Sequence, residues 1–435
     1  MNYYKMLAER DSEKPAIVED GKKYTYHELI KLIDDRALSG DFGHIENGVA
    51  IIKKDTIMEQ LISFMACSKA GYIPMIAPTD AKVLPEIKEV PKDACMAVMT
   101  SGTTGVPKIL YRTFESWADF FPVQNEIFGI DKDSVLFAQG GLAFTGNLNL
   151  YMAQFYAGAT MVVENKFNPK RWCRAIKEFN VNTIYLIPTK LMLFTRCKDF
   201  KCENIRNILS GSQSLGREDA DMLKKVFPNT RIVLYYGASE LNYITYITDK
   251  DMTDKKNLIG RAFPGVKVSV KNDEIYIDTK YHVEGIKCPC SISDRGYIDE
   301  AGLLYFEGRN DDIVGVRGRK VSTMRIENCL RDMEEVEEAA VLLKRCDEKG
   351  DNADMLVAYV TLKKGYDAVV SECKKDFATD IKKDIIIAGE IKGQSFFERL
   401  RTSLAHYEMP SRIIVIKKMP HTYSGKLDKK GLENA

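Results

Sequence analysis

Short apolar runs alternate with helix-length segments along most of the chain. The apolar runs over 48–53, 70–77, 95–99 and 181–188 have the length of strands, and a helix is expected between the first two, over 56–70. Parallel strands need long crossover connections, which are usually helices. The alternation therefore predicts an α/β fold with a doubly wound parallel sheet.

Local signals mark the ends of several elements. Thr25 is followed three residues later by Glu28, a capping-box pattern that predicts the start of a helix after a hairpin at 15–24. A further helix is expected over 113–128. The Glu-Ala-Gly sequence at 300–302 separates two strand-like stretches and predicts a second hairpin.

Length and composition limit the class of protein. The 435 residues are too many for one compact core and suit two or three domains. The 63 basic and 62 acidic residues leave a net charge of +1, so no global field attracts nucleic acid. No apolar run reaches the length of a spanning helix, and charges occupy positions 1–14 where a signal peptide needs an apolar core. We therefore expect a cytoplasmic protein with no nucleic-acid or membrane partner.

The ten cysteines are scattered without a repeating spacing, which is typical of reduced thiols in the cytosol. The one close pair is Cys288 and Cys290, with His282 nearby. A zinc site would need a fourth ligand and usually a second pair. Free cysteines that pack in the interior are therefore the favoured interpretation.

A segment rich in glycine and hydroxyl residues, T-S-G-T-T-G-V-P-K, follows the apolar run at 95–99. Glycines allow the backbone to turn its N–H groups toward an anion, while hydroxyl groups and a lysine add donors and charge. The Walker A pattern cannot be laid over this string. On composition alone, a polyphosphate-binding loop and an ordinary polar turn both remain open. The candidate phosphate-binding residues are Thr100, Ser101, Gly102, Thr103, Thr104, Gly105 and Lys108.

This string resembles the phosphate loop of the adenylate-forming (AMP-binding) enzymes, which include acyl-CoA and aryl-CoA synthetases, peptide-synthetase adenylation domains and firefly luciferase. Other segments match in the family's order, from about residue 14 to residue 432: they are Y-G-A-S-E at 236–240, I-S-D at 292–294, G-R-N-D at 308–311, V-R-G-R-K at 316–320 and P-H-T-Y-S-G-K at 420–426. The resemblance implies a large N-terminal domain, 1–309, made of doubly wound sheets with a distorted β-barrel subdomain. It also implies a small, mobile α+β lid domain, 310–435. Only about twenty residues separate the strand at 70–77 from the phosphate loop, so a trimmed first subdomain is expected.

The resemblance assigns the nucleotide contacts. Tyr236, with Gly237 and Ala238, would contact the adenine, because a tyrosine offers a flat face. Ser239 would contact phosphate, and Glu240 would bind Mg²⁺. Taken alone, the same five residues could be a strand end with a surface carboxylate. The ribose hydroxyls would be held by the Asp294 carboxylate and by Arg309.

Three further roles come from the resemblance alone. Asp311 is the position about which the lid would swing, and Gly318 would let the thiol arm pass. Lys426 would offset negative charge as a carboxylate attacks the ATP α-phosphorus. The expected catalytic residues are Lys426, Glu240 and Thr103.

The acyl pocket is expected to include Phe144, Thr145, Ser210 and Gly211. Members that activate α-amino acids carry an aspartate in the loop after the phenylalanine, and many acyl-CoA synthetases carry a histidine. Here no Asp or His, and no Glu, lies between 134 and 163. A buried ammonium group without a counter-charge is costly, so an ordinary α-amino acid is a disfavoured substrate.

These assignments imply an AMP-forming acid–thiol ligase that uses ATP and Mg²⁺ and acts on an aryl or acyl carboxylic acid. The expected thiol is coenzyme A, and the second choice is the phosphopantetheine arm of a separate carrier protein, because only nine residues follow Lys426. A non-catalytic adenylate-binding protein is the alternative from another class. The presence of both Lys426 and Glu240 argues against that alternative. A monomer or a homodimer is expected.

Overall fold

The computed structural model describes most of the chain in two compact units. The described residues are 1–79, 81, 84–100, 108–255, 257–309, 312–316, 319–346, 353–366, 370–371, 387–391, 394–421 and 427–433. The first unit comprises 1–271, 275–291 and 298–305. The second comprises 272–274, 292–297 and 306–435.

The helices and strands alternate through much of the chain. The helices are α1 Tyr3–Ala8, α2 Tyr26–Ser39, α3 Ile57–Ala70, α4 Glu115–Ala118, α5 Phe121–Phe128, α6 Thr145–Ala157, α7 Pro169–Glu178, α8 Pro188–Thr195, α9 Arg217–Val226, α10 Thr323–Arg331, α11 Gln394–Ser403 and α12 Lys429–Glu433. The strands are β1 Pro15–Glu19, β2 Lys22–Thr25, β3 His44–Glu46, β4 Val49–Ile52, β5 Ile73–Ile76, β6 Met96–Thr100, β7 Lys108–Arg112, β8 Val135–Ala138, β9 Thr160–Val163, β10 Thr183–Tyr185, β11 Asn207–Gly211, β12 Arg231–Ala238, β13 Asn242–Thr248, β14 Leu258–Ala262, β15 Lys267–Lys271, β16 Glu274–Asp278, β17 Cys290–Ile298, β18 Leu304–Arg309, β19 Ile313–Val316, β20 Arg319–Ser322, β21 Val336–Cys346, β22 Ala353–Leu362, β23 Val370–Ser371, β24 Ile387–Ile391 and β25 Arg412–Ile416.

The main sheet of the first unit has a parallel centre. Its strands follow the order β12-β11-β10-β8-β9-β1, and each neighbouring pair is parallel. The antiparallel strands β13 and β2 flank this centre. Trp172, Phe194 and Phe227 belong to the apolar cluster that packs helices on the sheet. The predicted α/β class is confirmed, and the C-terminal ends of β8, β10, β11 and β12 lie along one edge.

A second sheet of the first unit has the order β3-β4-β5-β6-β7. Strands β4, β5 and β6 are parallel, whereas β6 and β7 pair antiparallel, with Thr100 opposite Lys108. Each sheet formed by the described strands is open, so the expected β-barrel subdomain is not found among them. The ends of the candidate phosphate loop are fixed by this pairing.

The prediction of one continuous helix over 113–128 is wrong, because the structure has two helices there. Helix α4 ends at Ala118, and α5 begins at Phe121 with a proline in its first turn. Pro122 has no N–H group and its ring clashes with the carbonyl of the preceding turn. A proline is tolerated at the start of a helix, so the chain starts a new helix at this point.

The second unit contains an α+β layer of its own. Its sheet has the order β21-β22-β25-β24-β23, with β22 and β25 parallel. Ile326 of α10 and Phe396 of α11 belong to one apolar cluster, and Leu432 of α12 belongs to another. Within the part of the chain that the structure describes, no helix combines the length and the apolar character needed to cross a bilayer.

Candidate active site

The candidate phosphate loop connects β6 and β7. Lys108 is exposed at the start of β7, opposite Thr100 at the end of β6. The other candidate residues of this loop, Ser101, Gly102, Thr103, Thr104 and Gly105, lie outside the described residues. Their roles stay predictions.

The Y-G-A-S-E segment lies at the C-terminal end of β12. The pairing with β13 shifts register between Tyr236 and Gly237, which is the mark of a β-bulge. A Cβ atom built on Gly237 would lie 2.6 Å from the carbonyl oxygen of Asn242, so only glycine fits this close backbone approach. The bulge presents Ser239 and Glu240, both partly exposed, at the strand end where ligands bind in α/β sheets.

A buried arginine that the sequence analysis did not select supports this segment. Arg112, at the end of β7, is 0% exposed. Its Nη2 atom donates to the Ser239 carbonyl at 2.6 Å, its Nη1 atom donates to the Tyr281 carbonyl at 3.1 Å, and its guanidinium lies 5.3 Å from the Trp117 ring centroid. Burial lowers the pKa of Arg112 to about 10. The available signal in the sequence was an arginine that directly follows the stretch Ile-Leu-Tyr at 109–111.

We expect Arg112→Met to destabilise the protein by at least about 2 kcal/mol, because two carbonyl groups would lose their donor. The KM for ATP should rise as Ser239 loses its support. Thermal unfolding and ATP kinetics would measure both effects. Arg261→Met, at a half-exposed arginine, is the matched control. A fall in Tm no larger than that of the control would contradict the positioning role.

The predicted acyl-pocket residues lie at neighbouring strand ends. Thr145 begins α6 and Phe144 directly precedes it, whereas Ser210 and Gly211 end β11. The Ser239 Oγ atom lies within hydrogen-bond distance, 3.3 Å, of the Thr145 Oγ1 atom. The candidate nucleotide segment and the candidate acyl loop are therefore in direct contact.

Two tyrosines close the space beside these residues, and the sequence analysis did not select either. The hydroxyl groups of Tyr185 and Tyr235 are 2.7 Å apart, and the rings stack with centroids 6.4 Å apart. A Cβ atom on Gly211 would lie 2.4 Å from the Tyr235 ring, so a larger residue cannot replace this glycine. Burial raises the pKa of Tyr235 to about 12 and that of Tyr185 well above its usual value, so both remain protonated donors.

The two residues expected to hold the ribose are brought together in the second unit. The Arg309 Nε atom donates to Asp294 Oδ1 at 3.0 Å. Asp294 is 0% exposed, whereas the Arg309 side chain is about half exposed. The Arg309 N–H group donates to Asp312 Oδ2 at 3.3 Å.

The candidate hinge Asp311, the thiol-passage residue Gly318 and the candidate catalytic Lys426 lie outside the described residues. The described residue Lys429, three positions after Lys426 in the sequence, forms ion pairs with Asp312 at 3.3 Å and with Glu327 at 2.8 Å. Burial acts to lower the pKa of Lys429, but the two carboxylates raise it above its ordinary value. Helix α12 is therefore anchored to α10 and to the residue after the hinge position.

Comparison with known proteins assigns most of the chain. Residues 77–285 match the AMP-binding enzyme family, and residues 325–426 match the AMP-binding enzyme C-terminal domain. The chain belongs to the AMP-binding enzyme family. The predicted resemblance is confirmed, and it extends over both units.

Relatives of this AMP-binding enzyme are found at low identity. An uncharacterised acyl–CoA ligase, YhfT, from Bacillus subtilis is 25% identical over 349 residues, which are 75% of this chain and 66% of YhfT. The o-succinylbenzoate CoA synthetase MenE from Bacillus subtilis, solved with ATP and a magnesium ion, superposes with a TM-score of 0.80 at 18% identity over 99% of both chains. The amide bond synthetase McbA from Marinactinospora thermotolerans gives 0.75 at 17% identity over 99% and 98%. At these identities, the two structural matches establish the fold.

Magnesium is the metal that the AMP-binding family implies, and Glu240 is its candidate ligand. Within the described ranges, no group of three or more His, Cys, Asp or Glu side chains could hold a metal ion. A single carboxylate fits Mg²⁺ nonetheless, because this ion keeps several waters and is bound through one or two carboxylates together with substrate phosphates. The donor set therefore fits an ion shared with a nucleotide.

The close cysteine pair does not belong to a group of three or more possible metal ligands among the described residues. The sulfur atoms of Cys288 and Cys290 are 3.8 Å apart, and both residues are free thiols. The His282 Nδ1 atom lies 2.8 Å from the Val283 carbonyl. Burial raises the pKa of Cys290 to about 11, so its thiol stays protonated near neutral pH.

Proposed function

We propose that this chain activates an aryl or acyl carboxylic acid with ATP and then transfers the acyl group to coenzyme A. In the first half-reaction, a carboxylate oxygen attacks the α-phosphorus and pyrophosphate leaves. In the second, a thiol displaces AMP from the acyl-adenylate. The relatives support this class of reaction, since YhfT is named an acyl–CoA ligase and MenE a CoA synthetase.

The contact between Ser239 and Thr145 is the observation that carries the proposal. Ser239 belongs to the segment expected to contact phosphate, and Thr145 belongs to the loop expected to contact the acid. The acid carboxylate and the α-phosphate must approach within about 3–3.5 Å for the attack. A 3.3 Å contact between the two segments supports a site where both reactants can meet.

The remaining residues are given roles around the nucleotide. Tyr236 would lie against the adenine. The carboxylate of Asp294 would accept hydrogen bonds from the ribose hydroxyl groups while Arg309 holds that carboxylate in place. Glu240 would hold Mg²⁺, which offsets phosphate charge when it is bound. Lys426 would stabilise the charge that develops in the transition state.

Asp311 and Gly318 belong to the second half-reaction. Rotation of the lid about Asp311 would withdraw Lys426 and admit the thiol past Gly318. One mobile domain can then serve both steps. Loading of a carrier protein uses the same chemistry, because its phosphopantetheine arm ends in the same thiol. McbA shares the fold and is an amide bond synthetase, so the acceptor has to be tested directly.

We expect pyrophosphate release with an acid from an aryl and acyl panel, and none with the twenty standard amino acids. Phe144 and Thr145 offer no counter-charge for an ammonium group. Each acid should be assayed with ATP and Mg²⁺ alone, with coenzyme A, and with a phosphopantetheinylated carrier protein.

Formation of an acyl-CoA would support the first-choice acceptor, and carrier loading without acyl-CoA would support the second. Binding of ATP without pyrophosphate release from any acid would favour the non-catalytic alternative. Strong release with a standard amino acid would reject the interpretation of the Phe144 loop.

A further inference from the structure

Lys190 is a basic side chain at the candidate acyl pocket that the proposed mechanism does not use. It lies in the first turn of α8, directly after β10. Its Nζ atom donates to the Gln139 carbonyl at 3.2 Å and to Gln139 Oε1 at 2.7 Å. Gln139 follows the end of β8, which is the neighbour of β10 in the sheet, so the amine lies across two adjacent strand ends.

Two contacts connect the start of α8 to the predicted acyl-pocket turn. The Ser210 Oγ atom donates to the Leu186 carbonyl at 2.8 Å. The Thr189 N–H group donates to Gln213 Oε1 at 3.2 Å. The residues just before Lys190, Leu186 and Thr189, are therefore hydrogen-bonded to Ser210 and Gln213 of this turn.

The amine also lies beside the start of α6. A Cβ atom built on Gly140 would lie 3.5 Å from Lys190 Nζ and 2.9 Å from Asn147 Nδ2. Helix α6 begins at Thr145 without a side-chain cap, and the first N–H groups of a helix carry partial positive charge. Two sources of positive charge therefore lie in the same part of the pocket.

No negative charge is found to balance Lys190 in the described part of the chain. The polar side chains near its amine, Gln139 and Asn147, are neutral, and burial is the one cause that lowers the pKa of Lys190, to about 8. A neutral side-chain donor could make the same hydrogen bonds to Gln139, so these bonds do not require a charged residue at position 190. A partly buried ammonium without a counter-ion costs free energy, which an anionic ligand would recover.

Two tyrosine side chains also lie against the start of α6 and the end of β11. A Cβ atom built on Gly146 would lie 2.8 Å from the Tyr185 hydroxyl and 3.3 Å from the Tyr235 hydroxyl. The Tyr235 ring lies directly against Gly211. The two rings therefore occupy the space between Gly146 of α6 and Gly211 at the end of β11, which favours a compact acid over a long alkyl chain.

We propose that the activated acid is a compact dicarboxylic acid and that Lys190 binds the carboxylate that does not react. This inference rests on the proposed function and names the acid class for the same site. One carboxylate forms the bond to the α-phosphorus as the bond to pyrophosphate breaks. The other remains ionised and accepts a charge-assisted hydrogen bond from Nζ.

The test compares acids that differ in one charge. Succinate is paired with butyrate and with monomethyl succinate, and glutarate is paired with pentanoate. The wild-type enzyme should have the higher kcat/KM for each diacid. Lys190→Met should lower kcat/KM for succinate by about tenfold to hundredfold, the range of a hydrogen bond to a charged group, and leave butyrate unchanged.

Two controls separate recognition from a structural role. Lys198→Met, at an exposed lysine after α8, should leave the kcat/KM of both succinate and butyrate unchanged. In the wild type, the ratio of kcat/KM for succinate to that for butyrate should fall as the pH rises through about 8, because free Lys190 loses its proton there. In Lys190→Arg the ratio should stay constant, since a guanidinium remains charged.

The outcomes are distinct. Equal wild-type activity on succinate and butyrate, or an equal loss on both in Lys190→Met, would overturn the inference and leave the proposed function standing. A wild-type ratio that does not change with pH would also overturn it, even if Lys190→Met fails to fold. Absence of pyrophosphate release with every acid tested would reject the proposed function itself.

Discussion

Lys426→Ala is expected to lower the rate of acyl-adenylate formation by roughly 10²–10³-fold, the loss typical when one group that stabilises transition-state charge is removed. The pentacoordinate phosphorus carries more charge on its oxygens than the ground state does, so the effect should fall on kcat rather than on KM for ATP. Acid-dependent exchange of labelled pyrophosphate into ATP measures this step directly.

The same variant should transfer the acyl group from a supplied acyl-adenylate to the thiol at the wild-type rate, because AMP departure does not need this charge. Lys418→Ala, at an exposed lysine of the same segment, is the matched control and should leave both steps intact. Equal losses of rate in both half-reactions of Lys426→Ala would contradict the proposal that Lys426 acts in adenylate formation and not in transfer to the thiol.

A neighbouring lysine should not replace Lys426. Lys429 is three residues further along the chain, but its amine is held by Glu327 and Asp312. Moving it would break the ion pair of Asp312. It would also leave the buried Glu327 carboxylate with Arg331, 3.8 Å away, as its remaining counter-charge, which is costly. The loss in Lys426→Ala should therefore not be masked by compensation from Lys429.

Local signals in the sequence predicted several elements well, because the groups involved are close along the chain. The capping box is an example: the Thr25 N–H group donates to Glu28 Oε2 at 2.8 Å, and the Glu28 N–H group donates to Thr25 Oγ1 at 3.1 Å. Strand β4, Val49–Ile52, lies within the apolar run predicted at 48–53. The broken helix at Pro122 shows the limit, since one residue can end an otherwise continuous helical pattern.

Contacts between distant residues could not be predicted in the same way. Arg112 and Ser239 are 127 positions apart, and Lys190 and Gln139 are 51 apart. The order of the strands decides which side chains meet at the sheet edge, and no spacing in the sequence encodes it. The family motifs therefore predicted the candidate nucleotide segment, whereas the contacts of Arg112 with Ser239 and of Lys190 with Gln139 needed the structure.

Asp294→Ala is expected to raise the KM for ATP by about tenfold to hundredfold, the range for hydrogen bonds to an ionised group. The carboxylate is fully buried and is held by Arg309 at 3.0 Å, so it is oriented before the nucleotide arrives. The KM for the acid should stay unchanged. Asp273→Ala is the matched control, because Asp273 forms a comparable 3.0 Å ion pair with Arg295 but is largely exposed.

The ribose assignment can be separated from a structural role with 2′-deoxy-ATP. The wild type should prefer ATP, because the deoxy analogue leaves one carboxylate oxygen without its hydroxyl partner. Asp294→Ala should lose most of that preference, since neither nucleotide then meets a carboxylate. If the ratio of kcat/KM for ATP to that for 2′-deoxy-ATP is the same in Asp294→Ala as in the wild type, Asp294 holds Arg309 but does not contact the ribose.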